Sequence, residues 1–303
     1  VARYLIQNTL WWIGRTGIDG VREDTLPYVP RPFWHDWTAA IRQRYPLLNV
    51  VGEVFDGDPA LVSYFQGGRE RDGVDTGVDT LFDFPLHYVI RKVFAEGAQV
   101  RSLPQMLAHD FLYQNPNRLV TFFDLHDVTR FMNEPGATFD GLQRAFTFLL
   151  TTRGIPLVYY GDEIGLAGGS DPDNRHDFPG GWKDDPRNAF EPSGRTLKQQ
   201  ALFEHLRRMA HLRAETAALR SGKMVDLLIE DDAWAFARVA PQASVLVVFN
   251  NSKQPTSLLI PLSGTGIADG AALEDYLGEA PPARARNGTV EVRLPAHSAA
   301  IYR

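Results

Sequence analysis

The sequence predicts an α/β chain in which parallel strand–helix units are followed by a small antiparallel β-domain. Three observations carry that expectation. Apolar runs of strand length alternate with helical patterns from residue 17 to about 219. After about residue 221 short alternating segments take over, separated by turns containing Gly, Pro or Asn. The length of 303 residues, 44% of them hydrophobic, accommodates one large domain and a small one. A division into 1–220 and 221–303 is therefore expected.

The elements follow in order. Residues 1–14 read as an amphipathic helix, with Leu5, Ile6, Leu10 and Ile13 at helical spacing beside Trp11 and Trp12. A short strand over 18–22 precedes a helix over 33–45, where Trp34, Trp37 and Ile41 share a face and Pro32 stands at the start, its missing N–H costing nothing. Strand and helix then alternate: 49–54 with 59–66, 80–84 with 86–96, 118–124 with 139–152, and 156–160 with 198–215. Beyond them, 234–239, 244–250, 257–262 and 290–294 read as the strands of a small sandwich.

Composition excludes several functions. Lys and Arg number 31 against 37 Asp and Glu, a net charge of −6, so no basic surface for nucleic acid or an anionic membrane is expected. The longest apolar runs, 154–160 and 245–249, fall far short of a membrane span. Cysteine is absent, which removes disulfides, thiolate metal sites and a Cys nucleophile. No Gly-rich phosphate loop and no HExxH helix occurs.

Three acidic residues lie just after expected strands: Asp24 in GIDGVREDT, Glu53 in VVGEVF and Asp127 in FFDLHDVTRF. Where parallel βα units close into a barrel, the C-terminal strand ends meet on one face, so residues distant in sequence converge. Glycoside cleavage needs one carboxylate as nucleophile and a second carboxyl as proton donor, and its positively charged transition state gains from further negative charge. Arg22 and Asp24, two apart on a strand, share a face, and a guanidinium there holds a carboxylate ionised and aimed.

These segments resemble the α-amylase superfamily. GIDGVREDT is similar to its strand-four motif, VVGEVF to strand five, FFDLHDVTRF to strand seven, and GIPLVYYGDEIGLAGGSDPDNRHDFPGGW to strand eight with its following loop. The texture of LWWI…GIDGVREDTLPYV and GGSDPDNRHDFPGGW is nearest to cyclomaltodextrinases and neopullulanases. The resemblance implies a (β/α)8 TIM barrel, of which 1–220 would carry about strands four to eight, and a C-terminal antiparallel β-sandwich over 221–303. It implies Asp24 as nucleophile, Glu53 as general acid/base and Asp127 as transition-state stabiliser. Arg22 would be the partner of Asp24, His126 a sugar-hydroxyl ligand, and Asp171 with Arg175 a donor-side sugar clamp. Phe55 could stack on a sugar ring at the acceptor side or simply pack.

The implied activity is retaining hydrolysis of α-glucosidic bonds, mainly α-1,4, in maltooligosaccharides, cyclodextrins, starch or pullulan. The alternatives are a glucanotransferase with the same chemistry, a non-catalytic glycan-binding homologue, and a piece inactive by itself. The family's strand-three motif is absent, so the upstream half of the barrel is expected before Val1, linked, nicked or as a separate chain. The Asn usual before the His–Asp pair is Leu125 here, expected to point away from sugar. No cofactor is required and no metal site is expected. Calcium is left open, since the DPDN run of Asp171–Asn174 lacks the Gly and terminal Glu of an EF-hand loop. A homo-oligomer is also left open. Asp162 and Glu163 read as structural, and the four tryptophans Trp11, Trp12, Trp34 and Trp37 as helix packing.

Overall fold

A computed structural model describes residues 1–241 and 243–303. The elements run α1 (Ala2–Thr16), β1 (Gly20–Glu23), α2 (Arg31–Arg44), β2 (Asn49–Gly52), α3 (Pro59–Ser63), β3 (Thr80–Leu81), α4 (Phe84–Phe94), α5 (Ser102–Leu107), β4 (Val120–Thr121), α6 (Phe139–Thr151), β5 (Ile155–Pro156), α7 (Leu197–Glu215) and α8 (Ala217–Ser221). Eight strands close the chain: β6 (Lys223–Ile229), β7 (Ala233–Ala240), β8 (Ala243–Asn250), β9 (Thr256–Pro261), β10 (Ala272–Leu273), β11 (Ala283–Arg284), β12 (Thr289–Leu294) and β13 (Ser298–Tyr302). Among the described residues no helix is long and apolar enough to cross a membrane.

The antiparallel texture expected from residue 221 begins with β6 at Lys223, but packing divides the chain elsewhere. One compact unit comprises Val1–Leu86 and Met106–Phe122, the other His87–Gln105 and Phe123–Arg303.

In the first unit β1, β2 and β3 form a parallel sheet, with Arg22 opposite Val51 and Gly52 opposite Leu81. A parallel bridge from Phe82 to Val120 adds β4 beside β3. Leu10 and Ile13 of α1 and Trp34, Trp37 and Ile41 of α2 join Val50 and Leu81 in one apolar core. The indole N–H groups are satisfied inside it: Trp34 donates to the Leu26 carbonyl (2.9 Å) and Trp37 to the Thr9 hydroxyl (3.0 Å). Trp11 and Trp12 depart from the packing expected of them and stand 56% and 51% exposed, edge-on to one another, because Leu10 and Ile13 take the buried stripe of the helix. Gly17 ends α1 at φ 68°, its N–H returning to the Ile13 carbonyl, a left-handed cap that a side chain would strain.

In the second unit β13, β8, β7 and β6 form an antiparallel sheet, and β9 pairs with β12. Ala235, Leu246 and Val248 face Leu258, Ile260, Val290 and Val292 in a sandwich core. Alternation was expected along 234–239, yet β7 is buried at six successive positions, Ala233 to Arg238. Its second face carries Trp234 and Phe236, which pack with Phe249 and, through Trp234, with Phe148 of α6, so β7 has no wet side from Ala233 to Arg238. That is why α6 belongs to the same unit as the sandwich. Helix α6 is capped at its start by Thr138, whose hydroxyl accepts the Gly141 N–H (3.0 Å). At its end buried Arg213 donates to the Leu150 and Thr152 carbonyls, and buried Arg238 to that of Thr151. These guanidiniums satisfy carbonyls that have no helical partner and place positive charge at the negative helix end. Strands β6 and β13 had no reading in the sequence: KMVDLLI mixes its periods, and SAAIY is mostly small side chains.

Candidate active site

The parallel register of β1 and β2 sets the first cluster. The Glu53 N–H donates to the Glu23 carbonyl (2.9 Å) and the Leu26 N–H to the Glu53 carbonyl (3.0 Å), so the chain after β2 stays laced to the turn after β1. Gly52 is required there: a β-carbon would meet the Leu26 side chain at 2.7 Å and those of Leu81 and Val78 at 3.2 Å. Arg22 reaches both acids, Nη1 to Asp24 Oδ1 and Nη2 to Glu53 Oε1, each at 2.9 Å. The Thr25 N–H donates to Glu53 Oε2 (3.1 Å), and Thr25 holds a left-handed φ of 51° to aim it.

The two carboxyls differ in surroundings. The Asp24 side chain is 62% exposed and that of Glu53 only 6%. Burial pushes Glu53 above the ordinary glutamate range, a shift opposed by the Thr25 N–H and Arg22 and reinforced by a hydrogen bond with Asp24 and by its charge. Phe55, just beyond Glu53, is 50% exposed and packs edge-on against Phe84, ring centres 4.3 Å apart.

The sequence reading passed over Glu23. Burial, then the Asp24 charge, push it to about 7. Its place between Arg22 and Asp24 on a strand puts it on the opposite face, the one signal that could have flagged it.

A second cluster belongs to the second unit. His126 Nε2 lies 2.9 Å from Asp127 Oδ2, and Arg175 Nη2 lies 2.8 Å from Asp127 Oδ1. Arg175 Nε is 3.0 Å from Asp171 and also donates to the His126 carbonyl (2.9 Å). The structure thus brings together His126, Asp127, Asp171 and Arg175. Leu125 is buried. Beneath the cluster, burial pushes Asp124 to about 6 against the opposing charge of Arg91, and burial with the Asp124 charge pushes Asp162 well above the usual range. Arg91 donates to Asp124 (2.7 Å), and Arg130 Nη1 lies 3.4 Å from Asp162. The buried place of Asp162 fits a structural residue. Among the described residues no three His, Asp or Glu stand together so as to hold a metal ion.

The α-amylase catalytic-domain model matches residues 1–191. The chain belongs to that family. Over 299 residues, 96% of its length, it is 29% identical to a β/α-amylase of Paenibacillus polymyxa, covering 22% of that protein. It is 27% identical to a cyclomaltodextrinase of Geobacillus thermopakistaniensis over 88% of the chain and 42% of the relative. The chain thus spans less than half the length of these two relatives. The crystal structure of an Anoxybacillus α-amylase superposes with a TM-score of 0.82 at 27% identity, covering 99% of this chain and 62% of that one. In this α-amylase-family chain, β1 to β5 are strands four to eight of the (β/α)8 barrel in order, and β6 to β13 form the C-terminal antiparallel domain.

Proposed function

We propose that the protein is a retaining α-glucan hydrolase of the cyclomaltodextrinase and neopullulanase kind, acting mainly on α-1,4 bonds of maltooligosaccharides, cyclodextrins, starch or pullulan. The observation that carries this reading is Arg22 held between an exposed Asp24 and a buried Glu53 whose carboxyl is pushed upward. Environments that separate two neighbouring carboxyls assign one to attack and the other to proton donation.

The Asp24 carboxylate attacks the anomeric carbon while Glu53 gives its proton to the leaving glycosidic oxygen, and the C–O bond breaks. Glu53, now ionised, takes a proton from water, which attacks the same carbon and releases Asp24 with net retention. Asp127 takes the role of stabilising the positive, sugar-like transition state. His126, Asp171 and Arg175 bind sugar hydroxyls, and the exposed face of Phe55 offers a platform on the acceptor side.

Two substitutions in the full-length protein test the roles. Glu53→Gln should lower turnover of natural maltooligosaccharides by about 10²–10⁴-fold, and cost much less in the first step with an activated aryl glycoside. Asp24→Ala should cripple both substrates, because no covalent intermediate forms. Equal losses on both substrates for Glu53→Gln would remove it from the acid role.

A further inference from the structure

We propose that Asn174 is a positioning residue for Asp127, its side-chain amide clamping the main chain on both sides of that carboxylate. Asn174 is fully buried, and its Nδ2 donates to the His126 carbonyl (2.7 Å) and to the Val128 carbonyl (2.9 Å). Those carbonyls belong to the residues before and after Asp127. Holding both from one nitrogen limits rotation of the Asp127 Cα and fixes the direction in which its side chain leaves the turn that follows β4.

The clamp is itself held. Arg130, also fully buried, donates from Nε to the Asn174 carbonyl (2.9 Å) and from Nη1 to that of Tyr160 (2.7 Å). Arg175 follows Asn174 directly and contacts the Asp127 carboxylate, so one segment registers the backbone and the side chain of Asp127 together. Asparagine suits the place for a chemical reason. It carries two N–H donors on a short arm, whereas aspartate would turn oxygen toward two carbonyl oxygens and glutamine would need room for another methylene. The DPDN run, which invites comparison with a calcium loop, here ends in a donor facing two acceptors.

The inference rests on the role given to Asp127 above. Its test is a double-mutant cycle in the full-length protein, using a maltooligosaccharide with an activated aryl leaving group. Rates are expressed per active site by burst titration, and thermal melting is recorded for each variant. Asn174→Ala should lower kcat by about 10–100-fold with KM within about threefold of the parent. With Asp127→Ala already present, the same change should cost less than about twofold. Asn174→Ser, which keeps one donor, should fall between parent and Asn174→Ala, and it carries the test if the alanine variant does not fold. An unchanged kcat per site in the Asn174 variants overturns the clamp, as does an equal loss with and without Asp127. If Asp127→Ala turns over like the parent, the role of Asp127 under the proposed function is what fails.

Discussion

Glu23 ends β1 and Glu53 directly follows the neighbouring β2, and burial pushes both upward, Glu23 to about 7. A proton-donating Glu53 must be protonated at the start of the reaction, so kcat/KM should fall on the alkaline side with an apparent pKa above the ordinary ~4.3 of glutamate. Glu23 titrates close by, and Glu23→Gln separates the two. The alkaline limb should persist in that variant, and its disappearance would give the limb to Glu23. The same substitution has a second readout. Glu23 has a folded pKa raised from 4.5 to about 7, so its protonated form favours the fold. Its contribution to stability is present below pH 4.5 and lost as pH rises through 7. Urea midpoints measured across that window should decline less in Glu23→Gln than in the parent. The clustering of Arg22, Asp24 and Glu53 was legible beforehand, because they sit in short motifs at the ends of adjacent strands. Asn174 was not, since it acts through main-chain carbonyls of His126 and Val128, and no residue type in the sequence marks which carbonyls need a donor.

Among the elements, helix positions were read most closely. Helix α7 was expected over 198–215 and spans Leu197–Glu215, opened by a reciprocal cap in which the Thr196 hydroxyl accepts the Gln199 N–H and the Gln199 side chain accepts the Thr196 N–H. Strands were read too long. The expectation of 118–124 shrank to Val120–Thr121, because Phe123 and Asp124 leave the ladder to accept from Arg91 and Asp124 also accepts the Phe131 N–H. The largest surprise is β7, whose unbroken burial hides the period of two that sequence reading relies on. Trp234 is the centre of that second face, with its N–H on Asp226 (2.9 Å). Trp234→Ala should therefore destabilise by about 3–5 kcal/mol. Leu259→Ala, at a position 65% exposed on β9, should stay within about 0.5 kcal/mol. Chemical denaturation with matched m-values is the check, and comparable losses would mean that the aromatic face contributes little.

For the molecule as a whole, the net charge of −6 is set against a proposed substrate that carries none. Association with a neutral glucan has no long-range electrostatic component to screen. Raising sodium chloride from about 0.05 to about 0.5 M should change kcat/KM on maltooligosaccharides by less than about twofold, whereas a binder of phosphate-bearing polymers loses orders of magnitude over such a range. A steep salt dependence would argue for a charged ligand. The family match over residues 1–191 and the superposition over 99% of the chain show that the order of motifs in the sequence had already conveyed the architecture. The division into compact units was not conveyed, because it depends on aromatic packing between α6 and β7 that no local pattern reports.

The doubly covered strands β7 and β8 also have a bearing on how the chain must be made. A strand with a wet face carries charged side chains that keep it soluble before it finds its neighbours, and β8, buried from Val245 to Asn250, gave that protection up. Between Arg238 and Lys253 the sequence holds no charge at all, and Val245–Phe249 is an uninterrupted β-branched, aliphatic and aromatic run. On the ribosome or in denaturant that stretch is an aggregation hazard of the kind charged gatekeepers normally flank at closer range. The yield of soluble protein then depends on how quickly Trp234 and Phe249 are covered by Phe148 and its helix, so the packing that stabilises the finished fold also sets the time during which the newborn chain is exposed.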